Sequence, residues 1–430
     1  MRQTPLYTGR AAPRLRGSPR VDENRPGART HGSCLLVSAV ATLLWLGLLP
    51  QGLLAQSTQN TSPPARVGHG DQGVEIATGD GRFLIQIQPR LQFRFSGGTL
   101  GDTVLSGRFT EGATFEVNRA RLKIGGHAFR PELTYYLEYE LQGTALLDFR
   151  AQYPIAPWLN VKVGQWKFQY SRERIISSGR QQLLDRSIVN SMFTIDRQQG
   201  MSLYGRAAGD GLADFSYWLT VGTGTGRAGE PNDDSRPLVM ARLQWNPLGE
   251  PVDFAGSDLG ARDEPSLLVA FAGVTNQSPY TRFSTSGGGQ LAGFEPGEAG
   301  QYRVDQWLGE TAFKYHGVSW QQEFHWKRID DRVTENVTTL IGNYAQIGVL
   351  LGAVSPSLPE QLELALRHAV YDPDMDRDSD LIHELSLTSN WFFNGHSNKL
   401  SAEALWLSRD VMAGQDESGL TFRVQWDLSM

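Results

Sequence analysis

The sequence predicts an all-β chain that closes into a transmembrane antiparallel β-barrel of about 16 strands, and three observations carry that expectation. The first is the stretch 83–95, FLIQIQPRLQFRF. Phe83, Ile85, Ile87, Leu91, Phe93 and Phe95 take its odd positions, while Gln86, Gln88, Arg90, Gln92 and Arg94 take even ones. That is the period of a strand with one apolar and one polar face. It is also about the ten residues that a tilted strand needs to cross a bilayer, against the five or six of an ordinary strand.

The second observation is compositional. The chain has 430 residues, 40% of them hydrophobic, with 47 Gly, 11 Trp, 13 Tyr and 19 Phe. Downstream of residue 55 no stretch reaches the roughly 18 uninterrupted apolar residues of a membrane helix. A membrane chain without such helices has to be a closed barrel, because lipid satisfies no backbone hydrogen bonds. A large soluble all-β protein shares this composition, so the third observation decides between them. Residues 34–49 are an apolar run of signal-peptide length, preceded by Arg29 and followed by Pro50, Gly52 and a plausible cleavage point after Ala55. No basic stop-transfer cluster follows it.

The expected organisation is therefore an N-terminal extension and signal peptide over 1–55, removed on export, a polar leader over 56–80, and the barrel over 81–430. The single cysteine, Cys34, leaves with the signal, which excludes disulfides, thiol catalysis and Cys-ligated metals from the mature chain. Residues 1–55 also carry seven Arg and two acids, so the mature chain keeps 33 basic and 44 acidic residues, about −11 net. Bulk charge does not attract anions; only the placement of the cations inside a low-dielectric wall could do so.

Past the Gly-rich stretch 96–114, FEVNRARLKIGG at 115–126 puts Arg119, Arg121 and Lys123 on one face and Ala120, Leu122 and Ile124 on the other. In 133–141, Leu133, Tyr135, Leu137, Tyr139 and Leu141 point outward and Tyr136, Glu138 and Glu140 inward. Similar segments lie at 147–153 and 159–166 and, beyond an irregular stretch at 169–198, at 201–206, 214–221, 238–245 and 267–274. The series continues through 304–315, 318–328, 343–351, 362–370, 381–392, 400–407 and 420–428. Tight connections at 208–212, 316–318 and 394–398 alternate with long ones at 96–114, 275–302 and 330–342. This is the layout of outer-membrane barrels, although the long connection 247–265 falls on the tight side. Trp158, Trp166, Trp245, Trp307, Trp320, Trp391 and Trp426 near segment ends suit interfacial girdles. The C-terminus, GLTFRVQWDLSM, sends Leu420, Phe422, Val424 and Trp426 to one face and runs on past its aromatic end.

Other motifs weaken on inspection. Gly224, Gly226 and Gly229 spell GxGxxG, but Glu230, Pro231, Asn232 and Asp233 follow where a nucleotide loop needs an apolar helix. Asp372, Asp374, Asp376, Asp378 and Asp380 alternate like a calcium loop, yet Arg377 replaces the required Gly and no Glu closes it. Single histidines such as His325 and His383 read as girdle or loop residues. No metal, cofactor or nucleic-acid partner is expected.

GVEIATGDGRFLIQIQPRLQFRF, FEVNRARLKIGG, VKVGQWKFQYSRERIISSGRQQLLDRSIVN and TSNWFFNGHSNKLSAEALW with GLTFRVQW resemble, in that order, the phosphate-selective porin O and P family. The resemblance implies a sixteen-stranded barrel, homotrimeric, in the outer membrane of a Gram-negative bacterium among its lipid and lipopolysaccharide. It further implies a third loop, here about 169–198, folded into the lumen as a constriction, and an arginine ladder leading phosphate or similar small anions to a lysine cluster. The ladder residues of the family fall on Arg90 and Arg119, which face inward by parity as well. Family site lysines fall on Arg174, Gly179 and Leu133, none of them Lys, which leaves general anion passage but not a dedicated phosphate site.

On this reading Arg90, Arg94, Arg119, Arg121 and Lys123 line the wall, and Arg172, Arg174, Arg180, Arg186 and Arg197 supply the constriction loop. Passage needs no covalent chemistry: an anion steps between charge-assisted hydrogen bonds, none too tight to release it. The bland alternative is that these cations pair with Glu138, Glu140, Asp148, Glu173 and Asp185 for stability alone. Two further functional readings are a similar barrel passing other or uncharged solutes, and a barrel enzyme with a lipid-facing Ser and His, for which the sequence nominates no pair.

Overall fold

A computed structural model of the chain describes residues 64–70, 72–100, 110–209, 212–227, 232–283, 289–378, 380–410 and 417–430. The expected signal peptide and its cleavage point lie outside them. Among the described residues two short strands, β1 (Arg66–Gly70) and β2 (Gly73–Ala77), precede sixteen that form the wall. The first half comprises β3 (Leu84–Leu100), β4 (Thr110–Ala128), β5 (Arg130–Glu140), β6 (Ala145–Ala156), β7 (Leu159–Lys167), β8 (Arg197–Ala208), β9 (Asp214–Gly222) and β10 (Leu238–Trp245). The second comprises β11 (Ser266–Ser278), β12 (Tyr302–Tyr315), β13 (Val318–Asp331), β14 (Val337–Leu350), β15 (Leu362–Asp372), β16 (Ile382–Asn394), β17 (Asn398–Arg409) and β18 (Glu417–Ser429). Each wall strand pairs antiparallel with the next, and β18 returns to β3 with Val424 opposite Phe95 and Ser429 opposite Arg90. The sixteen wall strands therefore close into a ring, with only the β1–β2 hairpin standing outside it, and no described helix is long and apolar enough to cross a membrane.

Alternation fixes the faces. Along β12, Val304, Gln306, Leu308, Glu310, Ala312 and Lys314 are buried in the interior. On the outer face Trp307 stacks on Trp326 at 5.9 Å between ring centres. In β4 a bulge opposite Gln92 and Phe93 lets Phe115 and Val117 face outward while Arg119, two residues on, faces inward. The extra residue shifts the side-chain parity by one, so both halves of FEVNRARLK satisfy their own surroundings.

Four expectations need correction. Residues 330–342 are not a long loop, because β13 runs to Asp331 and β14 starts at Val337. Trp166 belongs to no girdle: it is fully buried and packs on Phe168 at 4.9 Å, since the even positions of β7 face the lumen. His325 likewise faces inward, 2.9 Å from the Glu323 carboxylate, and its ring lies against Phe193. The segment read as a polar leader contains the β1–β2 hairpin. Its second strand pairs with residues 84–87 of β3, beside the place where β18 ends.

The long connection on the tight-turn side, 246–265, folds into the barrel. Val252, Ala255, Ser257 and Asp258 are buried there. Gly256 donates its N–H to the Arg180 carbonyl at 2.7 Å, Ser257 donates to Glu363 at 2.8 Å, and Lys314 holds Asp253 at 2.7 Å. Its length is explained by this inward course.

Candidate functional site: a cation-lined lumen

The segment 168–196 between β7 and β8 also occupies the lumen. It carries two short helices, α1 (Arg172–Ile175) and α2 (Ile188–Phe193), each begun by a serine cap: Ser171 accepts from the Arg174 N–H and Ser187 from the Asn190 N–H. The loop holds its own shape through Glu173, whose carboxylate accepts the Ser187 N–H at 2.7 Å and its hydroxyl at 2.8 Å. It is anchored to the far wall by Arg367, Glu323 and Gln182, and Phe168, Val189, Phe193 and Tyr344 join the apolar filling of that side. What remains open lies along β3–β7.

The five wall cations all face that interior. Arg90 donates to Asp427 and to the Ser178 hydroxyl, both at 2.8 Å. Arg94 grips Asp185 of the loop at 2.7 Å, and Arg119 lies 3.6 Å from the same carboxylate while bonding Gln92 at 2.8 Å. Arg121 sits between Glu138, 2.8 Å, and Glu140, 2.7 Å; Lys123 bonds Gln88 at 3.2 Å.

The five loop cations behave differently. Arg172 spends its guanidinium on the carbonyls of Val252, Asp253 and Ala255 in the inward-folded turn. Arg186 donates to the carbonyls of Glu173 and Ile176 at 3.0 and 2.8 Å, so it braces the loop from within. Arg174 pairs with Asp196 and Arg197 with Asp148, at 2.9 and 2.6 Å. Arg180 alone among them is exposed, and its side chain has no ion pair among the described residues. Beside it, a Cβ on Gly179 would come within 2.8 Å of the Arg90 guanidinium, so no larger residue fits there unless Arg90 moves.

Below the loop, at the tight-turn end, a cavity of about 920 Å³ is lined by Arg90, Arg121, Lys123, Arg150, Lys167 and Arg180 on one side and by Arg262 and Lys314 on the other. Glu138, Asp148, Asp253 and Asp258 are the acids that share it. Eight Lys and Arg against four acids in a confined space give a positive potential that the chain's overall negative charge hides. Asp185 carries the balance at the other end of the wall. Burial raises its carboxyl, but the guanidinium groups of Arg94, Arg423 and Arg119 outweigh this and hold it well below the usual carboxylate range.

Sequence reasoning did not single out Arg150, Lys167, Arg262, Lys314 or Arg423. Parity could have found three of them: Arg150 shares a face of β6 with Asp148, Lys314 follows Glu310 on one face of β12, and Arg423 shares a face with Gln425 and Asp427. For Arg262, in a segment without periodicity, no such signal exists. Among the described residues no three ligating side chains come together, the alternating aspartates included.

A family model described as phosphate-selective porin O and P matches residues 101–410. Among solved structures, the chain superposes on an anion-selective porin from Comamonas acidovorans at 10% identity and TM-score 0.53, covering 80% of this chain and 99% of that one. It matches OmpT of Vibrio cholerae at 7% identity and TM-score 0.52, over 81% and 98% of the two chains. The outer membrane channel DcaP of Acinetobacter baumannii matches at 9% identity and TM-score 0.52, over 80% and 97%. No curated protein matches the chain.

Proposed function

The chain belongs to the phosphate-selective porin O and P family, an outer-membrane channel family, and from that premise we propose that it conducts small anions passively in preference to cations. The carrying observation is the one-sided lining: β3 and β4 place five inward cations along the lumen beside the loop, and three of them, Arg90, Arg121 and Lys123, line a cavity where cations outnumber acids. An anion on this route trades hydration for guanidinium donors at successive heights, and partial pairing of the wall arginines with nearby acids keeps any one site from holding it. One solved barrel of this fold is described as anion-selective and another as a trimer, which supports small-anion passage and a homotrimer among outer-membrane lipids here.

A dedicated phosphate site has less support, because Arg174 is engaged by Asp196 and Gly179 leaves no room for a lysine beside Arg90. The deciding measurement is the reversal potential of the reconstituted channel in a potassium chloride gradient. A potential of the sign set by chloride is expected; one set by potassium, or none, sinks the proposal.

A further inference from the structure

Among the inward cations, Arg94, Arg119 and Arg423 stand apart because all three aim at one carboxylate carried by a different element. Arg94 holds Asp185 with both prongs, Nη1 to Oδ2 at 2.7 Å and Nη2 to Oδ1 at 3.0 Å. Arg423 reaches Oδ2 at 2.7 Å, and the Arg119 Nη2 lies 3.6 Å from Oδ1. The arginines come from three adjacent strands, β3, β4 and β18, so the wall fixes their relative positions. Asp185 comes from the loop and is 30% exposed, whereas the arginine side chains are 7, 20 and 11% exposed.

Charge does not balance at this point. Arg423 also pairs with Glu403, but for Arg94 and Arg119 Asp185 is the acid within reach, and their other partners are neutral: Gln425 and Gln92. Two prongs from one arginine and one from each of two others is the donor arrangement that suits a planar or tetrahedral oxyanion.

We infer that Arg94, Arg119 and Arg423 form an oxyanion site whose occupant is the chain's own Asp185 carboxylate, making Asp185 the residue that keeps free oxyanions from lodging there. This rests on the anion-conducting reading for its setting, yet its test reads a change between variants, so the two fail separately. With Asp185 in place a passing anion meets a filled site and moves on; with the carboxylate gone, a free oxyanion takes its position and stays.

The experiment is planar-bilayer conductance of the full channel in chloride with added inorganic phosphate, comparing wild type with Asp185→Asn. The variant keeps the side-chain shape and removes the charge. Expected are a rise in anion over cation permeability and a saturable block of chloride current by phosphate at concentrations about tenfold or more below any block of wild type, the equivalent of one charge-assisted contact. Unchanged selectivity with no new block overturns the inference. A second comparison covers the case in which the loop shifts: Asp185→Asn with Arg94→Gln and Arg119→Gln should lose the block. A block that survives in this triple variant also overturns it, because the site then lies elsewhere.

Discussion

Arg90 on the first wall strand and Asp427 on the last meet across the closing seam at 2.8 Å, each side chain 1% exposed. The pair does two jobs. It ties β3 to β18, and with the 2.8 Å bond from Arg90 to Ser178 it ties the seam to the constriction loop. The C-terminal residues that overrun the aromatic Trp426 are therefore part of the closure: Asp427 fills the seam and Met430 donates its N–H to the Pro89 carbonyl at 3.1 Å.

Asp427→Ala leaves the Arg90 guanidinium buried without its acid, at a cost of about 3–5 kcal/mol. The temperature at which the folded barrel converts to the slow-migrating unfolded form in detergent gels should fall clearly. A conversion temperature equal to that of wild type would show that the seam does not depend on the pair.

Neutralising Arg119 and Arg121 together as glutamine should lower anion over cation permeability severalfold. Arg121 lies between Glu138 and Glu140, so removing it also uncovers two carboxylates, and Arg121→Gln alone should act more strongly than Arg119→Gln alone. Reversal potentials measure both; equal selectivity in all variants counts against a wall pathway.

Arg172→Met removes the donor that three carbonyls of the turn 246–265 share. Its charge-assisted bonds are worth about 1.5–3 kcal/mol, enough to loosen but not release a segment also held at Gly256, Ser257 and Asp253. Single-channel records should show larger and noisier current. Quiet current of unchanged size would mean that the turn does not bound the open path.

The Asp185 carboxyl is depressed, so its ion pairs are present above the ordinary carboxylate value and are lost only as pH falls through the lower value of the folded protein. The difference in selectivity between wild type and Asp185→Asn should thus stay constant from neutral pH down to about 4, the ordinary aspartate value. A midpoint near pH 5 in that difference would contradict the three-arginine environment.

Much of the architecture was legible because a strand's period of two binds each side chain to a face. Arg90, Arg94, Arg119, Arg121 and Lys123 could be placed inward from the pattern alone, and so could the lipid-facing Leu420, Phe422 and Val424. Trp166 and His325 show the limit of that reasoning: their residue type suggested an interface, while parity, followed strictly, would have sent both inward. The bulge in β4 is subtler, since only a partner strand reveals an extra residue.

Alternation along the chain was enough to read closure, most of the strands and the polar face of each, because lipid outside and a packed interior inside impose one period throughout. What the cations do is set by contacts between distant elements. The segments 168–196 and 246–265 have no period, so nothing local says that Arg172 braces a turn 80 residues away or that Asp185 sits among Arg94, Arg119 and Arg423. Whether an arginine serves a passing ion or the fold depends on which acid lies within about 4 Å of it, and distances between elements so far apart in the chain are set by packing.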